Sequence, residues 1–161
     1  MRIVIWIAVL ATLLLLSRYI LFKNDDFSYH SLFVHGTGQK KIERRWTRAN
    51  LRVFATIRIY CGNKVSRADM YKNIGGNIAG FIPLGFLLPF LLWRRAGAGT
   101  IGLIVFLISL SFESIQLITG LGVFDVDDLL LNTAGGLIGY CICSLGRRRS
   151  NPIRPIVQLN S

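Results

Sequence analysis

A chain of 161 residues with 52% hydrophobic and 17% charged side chains, and a mean hydropathy of +0.50, is too apolar for an ordinary water-soluble domain. Its net charge of +11 would suit nucleic acid in a soluble protein, but no nucleic-acid fold signature accompanies it. The basic residues are therefore read as flanks of membrane spans that meet anionic lipid. A hydrocarbon core about 30 Å thick needs about 20 helical residues, and four apolar blocks reach that length: 3–22, 74–93, 99–118 and 126–145. The expected fold is an all-α membrane protein. It is a four-transmembrane-helix bundle forming one domain over 1–146, followed by a basic, disordered tail at 147–161.

Arg2 and the apolar run after it resemble the opening of a secretory signal peptide. No small-x-small cleavage site follows, and the run continues past Arg18 to Phe22, so an uncleaved anchor is expected. Residues 23–73 are the polar segment. Trp46, Ala49, Val53, Ile57 and Tyr60 fall near helical spacing, with Arg44, Arg48 and Arg52 on another stripe. Leu51, Val53, Ala55, Ile57 and Ile59 also alternate as a strand would. An amphipathic interfacial helix over 43–60, between the first and second spans, is the favoured reading. His30 and His35 lack Cys, Asp or Glu at ligand spacing and read as solvated. Cys61 has no partner for a disulfide framework.

The second span carries Asn77, Pro83, Pro89 and the pair Gly76 and Gly80, whose spacing lets a neighbouring helix approach closely. Trp93, Arg94 and Arg95 mark its far interface. The third span meets Ser109, Ser111, Glu113 and Gln116 near its end. A short turn through Gly120 and Gly122 leads to Asp125, Asp127 and Asp128, which suit the start of the fourth span. Asn132 follows Asp128 by four residues on the same helical face. Gly135 and Gly139 repeat the small-residue spacing, and the sequence leaves open whether these pairs serve one chain or two. Cys141 and Cys143 point to nearly opposite helix faces and cannot chelate a metal together.

The turn between spans three and four has no Lys or Arg, whereas Arg94, Arg95, Arg147, Arg148 and Arg149 mark the other ends. The positive-inside rule then puts both termini in the cytoplasm and the acidic turn outside, in a bacterial cytoplasmic membrane. Against this, the segment 23–73 holds eleven Lys and Arg and falls on the outside by parity.

Ionisable groups at membrane depth cost roughly 2.5–3.5 kcal/mol each, so the polar residues of this hairpin are the candidate site. Three readings stay open. In the structural one, Glu113, Gln116 and Asn132 make interhelical hydrogen bonds worth about 0.6–2 kcal/mol each, and the Asp residues are solvated caps. In the binding one, Arg48 and Arg52 grip an anionic lipid-linked or cell-wall component over a pocket of Asn77, Glu113, Gln116, Asp127, Asp128 and Asn132. In the catalytic one, Glu113 with Asp127 or Asp128 holds a divalent ion or does acid–base chemistry on a lipid phosphate. No nucleophile motif, catalytic histidine, metal signature or cofactor motif supports the last, so recognition is favoured over chemistry.

The stretches GGNIAGFIPLGFLLPF, FESIQLITG and VFDVDDLLLNTAGGLIGY together resemble the VanZ-like family of bacterial membrane proteins. The motif falls on Asn77, Pro83, Gly85, Glu113, Gln116, Asp127, Asp128, Asn132, Gly135 and Gly139. RANLRVFAT is a degenerate echo of the family's Asn-Leu-Ile-Pro-Phe segment. Gly122 stands where members commonly carry an arginine, so on this resemblance either the loop arginines substitute or the function differs. The family's namesake is associated with teicoplanin resistance. The resemblance thus implies a cell-envelope role, makes glycopeptide susceptibility a trait to measure, and implies no enzyme activity.

Overall fold

In a computed structural model the described residues are 2–21, 39–62, 66–92 and 96–150. They form six helices: α1 (Arg2–Leu21), α2 (Gln39–Trp46), α3 (Ala55–Cys61), α4 (Arg67–Leu91), α5 (Ala98–Thr119) and α6 (Val126–Ser150). Four of them, α1, α4, α5 and α6, are long and apolar enough to cross a membrane. This is a multi-pass, all-α membrane protein. His30, His35, Trp93, Arg94, Arg95 and the tail beyond Ser150 lie outside the described residues.

The spans stop where local chemistry stops them. At the end of α5, Gly120 takes the left-handed conformation (φ 77°), and its N–H bonds the Gln116 carbonyl at 2.7 Å. The second span starts earlier than its hydropathy suggests. Ser66 caps it by accepting from the Ala68 N–H at 3.3 Å, and a π-helical turn over Tyr71–Gly75 carries the polar start into Gly76–Leu91. Likewise α6 continues to Ser150, past the expected end at 145.

Helix α6 is the centre of the bundle, packed against α4 and α5, while α1 lies on the other side of α4. Small residues set how closely these backbones approach. A Cβ on Gly135 would overlap the Ile78 carbonyl, and one on Gly139 would overlap the Ile82 carbonyl and the Phe86 amide. A Cβ on Gly85 would strike the Gly136 backbone. Lipid tails are as apolar as the helices, so such contact, more than apolar burial, is what favours association here. Phe81, Leu84, Ile101 and Val105 fill the core, with Val9, Leu16 and Ile20 added from α1.

The other glycine pair receives α1: the Tyr19 ring lies on Gly76 and Leu16 lies on Gly80. Both pairs therefore serve packing within one chain. At Gly80 the nearest neighbour of an added Cβ is Leu16 Cδ2 at 3.2 Å, the end of a flexible side chain. Gly80→Ala is expected to change stability by no more than about 1 kcal/mol. The alanine's helix propensity, about 1 kcal/mol better, offsets the small shift of Leu16. Thermal unfolding in detergent measures this.

The expected helix over 43–60 is two helices with a turn between them. Asn50 breaks it, because its Oδ1 accepts from the Arg52 N–H at 3.1 Å, a local bond that competes with helix. Its backbone pairs instead with the start of α6 as an isolated parallel bridge to Asp125: Asn50 N–H to the Phe124 carbonyl at 2.8 Å, and Val126 N–H to the Asn50 carbonyl at 3.0 Å.

Candidate functional site

The site grows from the α5–α6 turn. Asp125 caps α6, its Oδ1 accepting from the Asp127 N–H at 2.8 Å. The Asp125 N–H donates to Oε2 of Glu113 at 2.9 Å, so the buried Glu113 side chain ties α5 to the turn. Asn50 Nδ2 donates to Asp125 Oδ1 at 2.9 Å and to Thr56 Oγ1 at 2.8 Å. Thr56 Oγ1 in turn donates to Asp125 Oδ2 at 2.5 Å. A segment of the long loop is thereby fastened to the hairpin.

Asp127 completes the fastening. The residue before α3 is Phe54, which has no side-chain oxygen and sits at φ 64°, so α3 cannot cap itself. The fully buried Asp127 carboxylate does it from another helix. Oδ1 accepts from the Phe54 N–H at 2.5 Å, and Oδ2 accepts from Thr56 N–H at 2.8 Å and Ile57 N–H at 3.2 Å. These donors have no intrahelical partner, and they carry the positive end of the helix dipole. A left-handed conformation for a phenylalanine costs roughly 1–3 kcal/mol and persists only where its surroundings hold it. Asp127 holds it.

The other polar residues face different neighbours. Asp128 turns to α4, where Asn77 Nδ2 donates to it. Asn132 turns to α5, donating from Nδ2 to Ser109 Oγ at 2.8 Å, while its buried Oδ1 has no hydrogen-bond partner. Gln116 Nε2 donates to the Ile20 carbonyl at 2.9 Å and ties α5 to the end of α1. Beside the turn, Arg45 of α2 donates from Nη1 to the Ile118 carbonyl and, at 3.4 Å, to the Leu117 carbonyl, placing a cation at the C-terminus of α5. Its guanidinium lies against Gly120, two residues from Gly122, and Trp46 packs on Phe124 with ring centroids 6.0 Å apart.

Asn77 and Asp128 thus meet, Glu113 and Asp127 share one network through Asp125, and Asn132 and Gln116 bond elsewhere. Arg48 and Arg52 stand exposed on the docked loop. The residues that sequence reasoning missed are Asn50, Thr56 and Arg45, whereas Asp125 and Ser109 were placed in the polar hairpin without the partners that the structure gives them. Asn50 heads the degenerate family segment, which is the one cue that pointed to it. Among the described residues no group of three or more His, Cys, Asp or Glu side chains could hold a metal ion.

The unpartnered oxygen of Asn132 gives a prediction. Removing an acceptor that bonds nothing forfeits nothing in the folded state, and only Ser109 loses a donor. Asn132→Leu is expected to hold stability within about 1 kcal/mol of the parent in thermal unfolding, the near-neutral outcome of replacing a poorly satisfied polar group by an apolar one of similar shape.

Residues 6–147 match the family model described as VanZ/LLP1. Over 81 residues the chain is 32% identical to Protein VanZ of Enterococcus faecium, an overlap covering 50% of this chain and 50% of that protein. The chain thus spans about half the length of this curated relative. No solved structure matches.

Proposed function

The chain belongs to the VanZ/LLP1 family, and from that premise we propose that it is a cell-envelope protein of the bacterial cytoplasmic membrane that binds an anionic lipid-linked or cell-wall component. The observation that carries the proposal is the fastening of the basic loop. Asp125 and Asp127 direct their oxygens to donors of the 50–57 segment, so the acids act as scaffold and the arginines remain outward. Arg48 and Arg52 then offer planar forks suited to phosphate or carboxylate. Arg45 adds a guanidinium beside the turn that carries Gly122. Glu113, Gln116 and Asp128, with Asn77 in support, hold the platform in place, and Asn132 keeps a buried oxygen without a hydrogen-bond partner.

In this proposal both termini are cytoplasmic and the platform faces outward. Labelling intact cells with an impermeant maleimide, using a chain whose single cysteine is Cys61, is expected to modify it. Reaction only after permeabilisation would overturn the orientation. Binding is tested with a polyprenyl phosphate in native mass spectrometry and with teicoplanin susceptibility in cells. Charge-assisted hydrogen bonds contribute about 1.5–3 kcal/mol each, so Arg48→Gln with Arg52→Gln is expected to weaken polyprenyl phosphate binding by roughly 100-fold or more at unchanged protein level. Unaltered binding and susceptibility in a normally accumulating variant would leave a purely structural role. A membrane enzyme acting on a lipid phosphate through Glu113, Asp127 and Asp128 would instead show turnover that disappears in Glu113→Gln. The three backbone donors on Asp127 favour recognition over that chemistry.

A further inference from the structure

Residues 51–59 present an apolar tip on the outside of the docked loop. Leu51 (52%), Val53 (52%), Phe54 (56%) and Ile59 (52%) are each more than half exposed, while Thr56, Ile57 and Tyr60 turn partly inward. The depth of this tip follows from what holds it. The amides of Phe54, Thr56 and Ile57 are bonded to Asp127 in the first turn of the membrane-crossing α6. The Tyr60 hydroxyl accepts from Asn73, in the π-helical turn of the membrane-crossing α4. Both ends of α3 are thus fastened to the ends of spanning helices, so α3 lies across one end of the bundle, the level at which helices of spanning length leave the hydrocarbon layer.

Large apolar side chains at that level are favoured by acyl chains and disfavoured by water. Arg48, Arg52 and Arg58 are exposed on the same segment, and basic residues beside span ends attract anionic lipid. The left-handed Phe54 puts a phenyl ring outward at a position where glycine would fit without strain. An exposed aromatic held in a strained conformation by a buried carboxylate points to a use for the ring.

We infer that residues 51–59 insert into the adjacent leaflet, with Leu51, Val53, Phe54 and Ile59 among the acyl chains and Arg48, Arg52 and Arg58 on the headgroups of anionic phospholipid. This goes beyond the ligand reading above and does not rest on it. The loop is anchored in the bilayer whether or not Arg48 and Arg52 also hold an envelope component.

The test uses the full chain reconstituted in vesicles, with Trp6, Trp46 and Trp93 replaced by Phe and a single reporter from Phe54→Trp. Phospholipids brominated near the glycerol end of the acyl chain are expected to quench most of its emission. Deeply brominated lipids should quench less, and aqueous acrylamide should quench little. A Val53→Trp reporter gives the same reading should Phe54→Trp fail to fold. Vesicles with phosphatidylglycerol should give stronger shallow quenching than vesicles of phosphatidylcholine alone, and Arg52→Gln with Arg58→Gln should abolish the difference. Strong acrylamide quenching without bromine quenching would place the tip in water and overturn the insertion. Protection from both quenchers would mean that protein covers it, with the same consequence. Equal quenching in both lipids, unmoved by the arginine substitutions, would overturn the anionic-headgroup assignment.

Discussion

Asp127→Ala is expected to release the 50–57 segment from the end of the bundle at a cost of about 3–5 kcal/mol, the lost helix cap together with the amides left without an acceptor. Three amides lose their acceptor together: Phe54 at 2.5 Å, Thr56 at 2.8 Å and Ile57 at 3.2 Å. Each buried donor left without a partner costs about 1–3 kcal/mol, reduced to the extent that water enters as the segment lifts. Loss of a helix cap alone accounts for up to about 2 kcal/mol. Phe54 also loses what keeps it at φ 64°, so the segment should relax rather than stay in place with broken bonds. Asp127→Asn retains one acceptor oxygen but turns an amide toward the remaining donors, and should cost about half as much. Hydrogen exchange at the three amides, with thermal unfolding beside it, reads both variants. Full protection in Asp127→Ala would sink this account of how the loop is held. If Arg48 and Arg52 work from a fixed platform, the same variant should lose ligand binding although it touches no ligand.

Gly139→Leu should leave little folded protein in the membrane. A Cβ at this position meets two backbone atoms, the Ile82 carbonyl oxygen and the Phe86 amide nitrogen, and neither can rotate away as a side chain does. Relief requires α4 and α6 to separate. That separation also parts Gly135 from Ile78 and Gly136 from Gly85, so one substitution disrupts the whole seam. Overpacking a well-packed core typically costs 1–3 kcal/mol and more where the neighbours are rigid, and the leucine side chain adds volume beyond the Cβ. Even Gly139→Ala is expected to lower stability by about 2 kcal/mol, after the roughly 1 kcal/mol that alanine returns in helix propensity. The comparison with Gly80→Ala is the useful one. Both are glycines of a small-residue pair on a spanning helix, but Gly80 faces one flexible side-chain end at 3.2 Å whereas Gly139 faces several backbone atoms that lie nearer. Equal melting temperatures for Gly80→Ala and Gly139→Ala would show that the α4–α6 seam tolerates separation.

Local features of the chain determined much of this molecule. The four spans, the hairpin between α5 and α6, the glycine pairs and the meeting of Asn77 with the acidic stretch were all readable. A run of about 20 apolar residues can satisfy its backbone only as a helix in a hydrocarbon layer about 30 Å thick, and that constraint is local. The opposed environments of Cys141, exposed, and Cys143, buried, follow equally from helical geometry.

What only the tertiary structure decided is which polar atom each acid serves. Asp128 and Asn132 were placed on one face, yet one meets Asn77 of α4 and the other meets Ser109 of α5. Four residues of helix leave an angular offset of roughly 40°, enough to choose different neighbours at the junction of three helices. The loop was harder still, because its alternation and its helical stripe were both present. The choice was made by partners more than 70 positions away: Asp125 draws Asn50 out of the helix, and Asp127 starts α3 again after Phe54. Span length and small-residue spacing are properties of neighbouring residues, and a sequence displays them. A donor and an acceptor brought together across the end of a bundle belong to the packed chain, where the unsatisfied amides of a short helix select the carboxylate that can reach them.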